Sequence, residues 1–180
     1  MKQILLCALG CALLLACNNE KPAEEKTATA AVAETKTQPV EFADTKYADI
    51  GKRGLAALSS GDIDKWMEDL ADNAMYRWNS GDSISGKAAI TAYWKKRRTE
   101  VIDSISYTND IWLPVKVNEP QQKVQSPGVW LLGWYQVNAK YKTGKRMSQF
   151  IHTDYHFDAS DKIDQMIQYI DRAPINAAIK

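Results

Sequence analysis

Between Ile105 and Asp171 the chain reads as four strand-like runs, and the last two connections between them are only a few residues long. The runs are ISYTNDIWLPVKV, GVWLLGWYQVNAKY, SQFIHTDYHF and KIDQMIQYID. A polar loop, NEPQQKVQSPG, follows the first, while KTGK and DASDK separate the others. Parallel neighbours need a crossover of about a dozen residues or more, so connections this short join antiparallel strands. The stretch therefore predicts an antiparallel meander, and one face of such a sheet must be covered by something else.

The cover comes earlier in the chain. From Asp44 onward, Tyr47, Ile50, Leu55 and Leu58 recur at helical spacing up to Ser59-Ser60-Gly61. Asp62 is placed to cap a second, short helix carrying Ile63, Trp66, Met67 and Leu70. AMYRWNS reads as a short strand and SGDSISG as a turn. A third helix opens at Gly86-Lys87 and carries Ala89, Ile90, Tyr93 and Trp94. The basic run Lys95-Lys96-Arg97-Arg98 after it reads as a solvated helix end, where cations complement the helix dipole. Helices followed by a meander make an α+β fold.

The N-terminal residues belong to another kind of segment. Met1-Lys2 precedes ILLCALGCALLLA, too short an apolar run for a membrane span of about 20 residues but suited to a secretory signal. Leu14-Leu15-Ala16-Cys17 resembles a bacterial lipobox. That resemblance implies cleavage before Cys17, lipidation of its thiol and acylation of the new amine, with the product held in the cell envelope, at the outer membrane. Residues 1–16 are then the signal peptide and 17–43 a tether. Its polar stretch, NNEKPAEEKTATAAVAETKTQPVEF, cannot bury enough apolar surface to offset ordering, and its random-coil span is roughly 25–30 Å. Residues 44–172 form one domain, with a tail at 173–180. The three cysteines are Cys7, Cys11 and Cys17, so the mature domain has neither a disulfide framework nor a thiolate metal site. Charges are balanced, with 23 Lys+Arg against 22 Asp+Glu, and no basic patch points to nucleic acid.

Three stretches carry a family resemblance: SSGDIDKWMEDLADNAMYRW, GDSISGKAAITAYW and HFDASDKIDQMIQYID. Together they make the chain similar to the SnoaL-like branch of the nuclear transport factor 2-like superfamily over about residues 44–172. The resemblance implies a cone: a curved antiparallel sheet wrapped around about three N-terminal helices, with an internal pocket. It also implies a homodimer through the outer sheet face. Asp161 stands where relatives commonly carry Gly before the Lys-Ile pair.

Register sets the expected faces. With Thr143-Gly144 as a two-residue hairpin loop, Lys142 pairs with Lys145, Trp134 with Thr153, and Trp130 with Phe157. With Phe157 paired to Ile163, Tyr155 meets Gln165 and Ile151 meets Tyr169. This places Trp130, Trp134, Gln136, Thr153, Tyr155, Gln165, Tyr169 and Asp171 on the pocket wall. His152, Asp154 and His156 fall on the outer face with Tyr135, Val137, Phe150 and Ile170. The two histidines lie about 13 Å apart along a straight strand, with no further histidine or thiol to complete a metal site. Neither metal nor cofactor is expected.

Three functions fit this wall. The first is a membrane-tethered domain that binds a small, partly apolar molecule. The second is an acid–base enzyme of the isomerase, cyclase or hydrolase type, with Asp171 as base and Tyr155 or Tyr169 as proton donor. The third is a non-catalytic dimeric module working through its outer face. The sequence favours the first.

Overall fold

The computed structural model describes residues 37–121, 123 and 126–180. The expected signal peptide, Cys17 and the tether up to residue 36 lie outside the described residues. A seven-stranded sheet runs in the order β1-β4-β5-β6-β7-β2-β3. Its strands are β1 (Val40–Phe42), β2 (Leu70–Trp78), β3 (Ser83–Ser85), β4 (Ile102–Val117), β5 (Gly128–Tyr141), β6 (Arg146–Phe157) and β7 (Ile163–Tyr169). All pairings are antiparallel except β2 with β7. The helices are α1 (Lys46–Ser60), α2 (Ile63–Met67), α3 (Lys87–Lys96) and α4 (Arg172–Ile179), and a π-helical turn, Arg97–Val101, continues α3.

The helices form for the reasons their sequences suggest. α1 buries Tyr47, Ile50, Leu55 and Leu58 along one stripe. Asp62 caps α2 by accepting from the Lys65 amide at 3.0 Å. α1 lies close to the sheet because two glycines admit the Trp112 indole between them. A Cβ on Gly51 would sit 2.6 Å from that ring, and one on Gly133 2.5 Å from it. At the β6–β7 turn Asp161 takes φ 59°, a conformation Asp tolerates better than most residues. Its carboxylate accepts from Lys46 Nζ and Tyr47 Oη, both at 2.6 Å, which ties the turn to α1.

Leu70, expected on the second helix, instead opens β2, and four further expectations need correction. Val40–Phe42, expected in the tether, is an edge strand on β4; Ser83–Ser85, expected as a turn, pairs with β2. Residues 173–180, expected as a tail, form most of α4, capped by Asp171 and with Ala178 buried. The fourth correction is the register. The β5–β6 loop has three residues, because Tyr141 N bonds Lys145 O at 2.9 Å and Gly144 takes φ 85°. This is the three-residue hairpin that ends on a left-handed glycine. Trp134 consequently pairs with His152, and Gly133 with Thr153. At the other edge Phe157 does pair with Ile163, but a bulge follows, so Tyr155 meets Met166 and His152 meets Tyr169.

A shift of one residue exchanges faces. Leu131, Tyr135 and Val137 of β5 therefore join Ile151, Thr153 and Tyr155 of β6 and Met166 and Gln168 of β7 on the concave side, under the helices. Among the described side chains, Tyr76, Tyr135, Leu70, Ile90, Leu131, Met166 and Thr153 are the largest fully buried ones.

Candidate functional site

The cone holds a half-open cavity of about 390 Å³, within the range of small-molecule sites. One wall is aromatic: Tyr76 and Trp94 lie 6.4 Å apart and nearly parallel, Tyr76 and Trp78 4.5 Å apart, and Trp78 and Tyr93 5.6 Å apart. β4 and β5 contribute Ile105, Tyr107, Val137, Ala139 and Tyr141, and α4 closes one side with Ile175 and Ile179. α4 is pinned there by Thr143 Oγ1, which donates to Ala178 O at 2.6 Å, and by Lys145 Nζ, which donates to Ala177 O at 3.1 Å.

The polar groups are few and mostly engaged. Tyr76 Oη donates to Gln168 Oε1 at 2.7 Å. Deeper in the cone, Tyr135 Oη lies 2.8 Å from Thr153 Oγ1 and 3.1 Å from Tyr155 Oη. These last groups border a void of only about 20 Å³, too small for anything beyond a water molecule. Trp94 also borders this void, and its Nε1 is buried without a hydrogen-bond partner among the described residues. Burial pushes the hydroxyls of Tyr76, Tyr135 and Tyr155 above the ordinary tyrosine range, so they remain protonated. Among the described residues three charged side chains line the main cavity: Asp82, Arg97 and Arg172. Arg172 Nη1 meets Asp82 Oδ2 at 2.8 Å, and its guanidinium lies 5.0 Å from the Trp78 ring centre.

No protein-family model matches the sequence, and no curated protein matches it. Solved structures do. An NTF2-like protein of unknown function from Burkholderia pseudomallei K96243 superposes with a TM-score of 0.61 at 11% identity, covering 76% of this chain and 99% of its own. A proposed polyketide cyclase from Xanthomonas campestris pv. campestris gives 0.60 at 13%, covering 76% and 98%. An LEH-like epoxide hydrolase from M. tuberculosis gives 0.54 at 13%, covering 75% and 90%. The fold is nuclear transport factor 2-like. That agrees with the α+β cone expected from the sequence, and at these identities the likeness concerns the fold alone.

Within the nuclear transport factor 2-like cone the expected wall residues separate. Thr153 and Tyr155 point inward but border the small void, not the main cavity. Trp130, Trp134, Gln136, Gln165 and Tyr169 lie on the convex face, because the three-residue loop and the β7 bulge shift them there. Trp130 packs against His156 at 4.9 Å and donates from Nε1 to Ser126 O at 2.9 Å. Trp134 stacks on His152 at 4.4 Å, with Tyr169 on the ring's other neighbour position at 5.4 Å. Gln136 Nε2 donates to Ser148 Oγ at 2.7 Å. Asp171 is outside the cavity, accepting from the Ala173 amide at 2.8 Å. Conversely Tyr135, Val137 and Ile170, expected outside, turn inward, and only Phe150 of that group is exposed.

The histidines do face outward, opposite Tyr155, as expected. Nδ1 of His152 donates to Gly133 O at 3.0 Å, and Nε2 lies 2.7 Å from Asp154 Oδ1, off the hydrogen-bonding direction. His156 contacts Asp164 Oδ1 at 2.5 Å through Nδ1 and Pro127 O at 3.1 Å through Nε2. Among the described residues no group of three His, Cys, Asp or Glu side chains is arranged to hold a metal.

Sequence reading missed the true wall. Trp78 and Trp94 are buried and also line the cavity. The basic run at the end of α3 is not uniformly solvated: Lys95 pairs with Asp64 at 2.7 Å and Lys96 with Glu100 at 3.9 Å, whereas Arg97 lines the cavity.

Proposed function

We propose that this protein is a lipid-anchored envelope protein whose cone binds a small, partly apolar molecule. The observation that carries the reading is the aromatic-walled cavity of about 390 Å³. Binding suits it better than acid–base catalysis, since the one carboxylate that lines it among the described residues, Asp82, is held by Arg172. Support for the anchor is the Leu14-Leu15-Ala16-Cys17 stretch, with the outer membrane as the destination it suggests. The test of binding is calorimetric titration of the full chain with 2-naphthamide, a neutral flat probe. Saturable binding that Ala139→Trp abolishes while circular dichroism is unchanged is the expected result. Failure of the folded wild type to bind either 2-naphthamide or its anionic counterpart, 2-naphthoate, overturns the reading. The anchor is tested by fatty-acid labelling, which Cys17→Ser should abolish.

A second element of the proposal is a homodimer through the convex face. Among the described residues the exposed large apolar side chains are Val40, Phe42, Ile111, Phe150, Tyr169 and Ile179. Five of these six lie on that face by their pairings; Ile179 alone belongs to α4. Apolar groups gathered on one face favour its burial, and a two-fold axis would bring the same patch together from both subunits.

A further inference from the structure

The charges at the cavity do not cancel. Asp82 and Arg172 form a closed pair, which leaves Arg97 as the one lining cation with no carboxylate partner among the described residues. Its guanidinium lies 5.6 Å from the Tyr93 ring centre. Stacking of this kind engages the flat face of the group and leaves its in-plane N–H donors directed elsewhere. Arg97 stands at the start of the π-helical turn, where the extra residue per turn rotates the chain relative to α3. Lys95 and Lys96, two and one residues earlier, project to solvent and are paired there. The positive charge of Arg97 also reaches inside: it opposes the upward push of burial on Tyr76, Tyr107 and Tyr141.

From this geometry we infer that the ligand is an amphipathic monoanion, a single carboxylate on a flat aromatic or alicyclic body, with the carboxylate on Arg97. The inference rests on the binding reading above and specifies its ligand class. The body lies against Trp78, Tyr93 and Trp94, whose rings offer large apolar faces. A neutral ligand of the same shape offers the Arg97 donors at most an uncharged acceptor, and a hydrogen bond to a charged group is the stronger one. A dianion meets Asp82 and finds no second unpaired cation among the described residues that line the cavity. Guanidinium stays charged throughout the physiological range and presents its donors in a planar fork that matches a carboxylate.

The test pairs two probes that differ in charge and hardly in shape, 2-naphthoate and 2-naphthamide, titrated calorimetrically into the full chain in detergent. Wild type should bind the naphthoate about tenfold more tightly or better, the scale of a hydrogen bond to a charged group. Arg97→Gln should remove that preference and leave naphthamide affinity within about twofold; Arg97→Lys should restore part of it. Unchanged naphthamide binding shows that the variant is folded. If Arg97→Gln does not fold, the wild-type ratio and Arg97→Lys decide. Equal affinity of wild type for both probes overturns the inference while the binding proposal stands, as does a preference that survives Arg97→Gln. Binding of neither probe overturns both.

Discussion

The two faces of the sheet carry similar side chains in opposite circumstances. The concave face holds Tyr135, Tyr155 and Thr153, all buried and hydrogen-bonded to one another. The convex face holds Trp134, His152 and Tyr169 in a stack whose last member is 45% exposed. Aromatic and polar groups alternate on both. The helices cover one side only, and it is that cover, not composition, that separates cavity from surface. An aromatic residue on this sheet thus acquires its role from parity.

Substitutions on the two faces should differ sharply. Tyr155→Ala should destabilise the fold by about 3–5 kcal/mol in chemical denaturation, as for large buried rings. Tyr169→Ala should cost far less in the isolated subunit; equal costs would break the distinction between the faces. Alkali probes the same difference without mutation. The buried hydroxyls of Tyr76, Tyr135 and Tyr155 titrate above the ordinary value of 10.0 in the folded chain. Their contribution is complete below pH 10 and is lost as pH rises through the folded values, because the unfolded chain ionises first. The slope is about 1.4 kcal/mol per pH unit for each tyrosine, and denaturation midpoints above pH 10 should reveal it. Tyr135→Phe should make that slope shallower.

Gly51→Ala should cost about 1–3 kcal/mol, since its methyl would meet the Trp112 ring that sets the distance between α1 and the concave face. The smallest effect belongs to the convex edge: Phe42→Ser, at a side chain 80% exposed, should shift subunit stability by less than about 0.5 kcal/mol. Sedimentation should nevertheless show a weaker dimer. A Phe42→Ser protein that sediments like wild type at every concentration would argue against a convex-face contact at β1.

Much of the architecture was legible in the sequence. The helical stripes of α1 and α3, the Asp62 cap and the strand-and-turn succession after Ile105 are local signals, and each appears where the pattern places it. The outward direction of His152 and His156 relative to Tyr155 was legible too, because alternation within one strand is fixed. Parity between strands was not. It turned on whether Lys142 belongs to the strand or to the loop, and on a bulge after β6 that no local signal marks. Arg97 was hidden because the run Lys95-Lys96-Arg97-Arg98 reads as one solvated end, although position 97 shares the helix face of Tyr93 and Trp94. β1 escaped notice because three residues paired at an edge need no hydrophobic run of their own.

The parallel pairing of β2 with β7 links Met75 to Gln165 and Trp78 to Gln168 across most of the domain's length. Strands β5, β6 and β7 close on one another through tight turns, so their contacts form quickly once the chain is present. β2 has no such route. Its outer neighbour, β3, is only three residues long, and its inner neighbour is β7. During synthesis the segment that supplies the aromatic wall, with Tyr76 and Trp78, therefore emerges early and waits for nearly the whole domain before it can dock. Non-local closure of this kind slows folding and prolongs exposure of apolar surface. The order of events places formation of the cavity at the end of folding, after the meander that bounds it is complete.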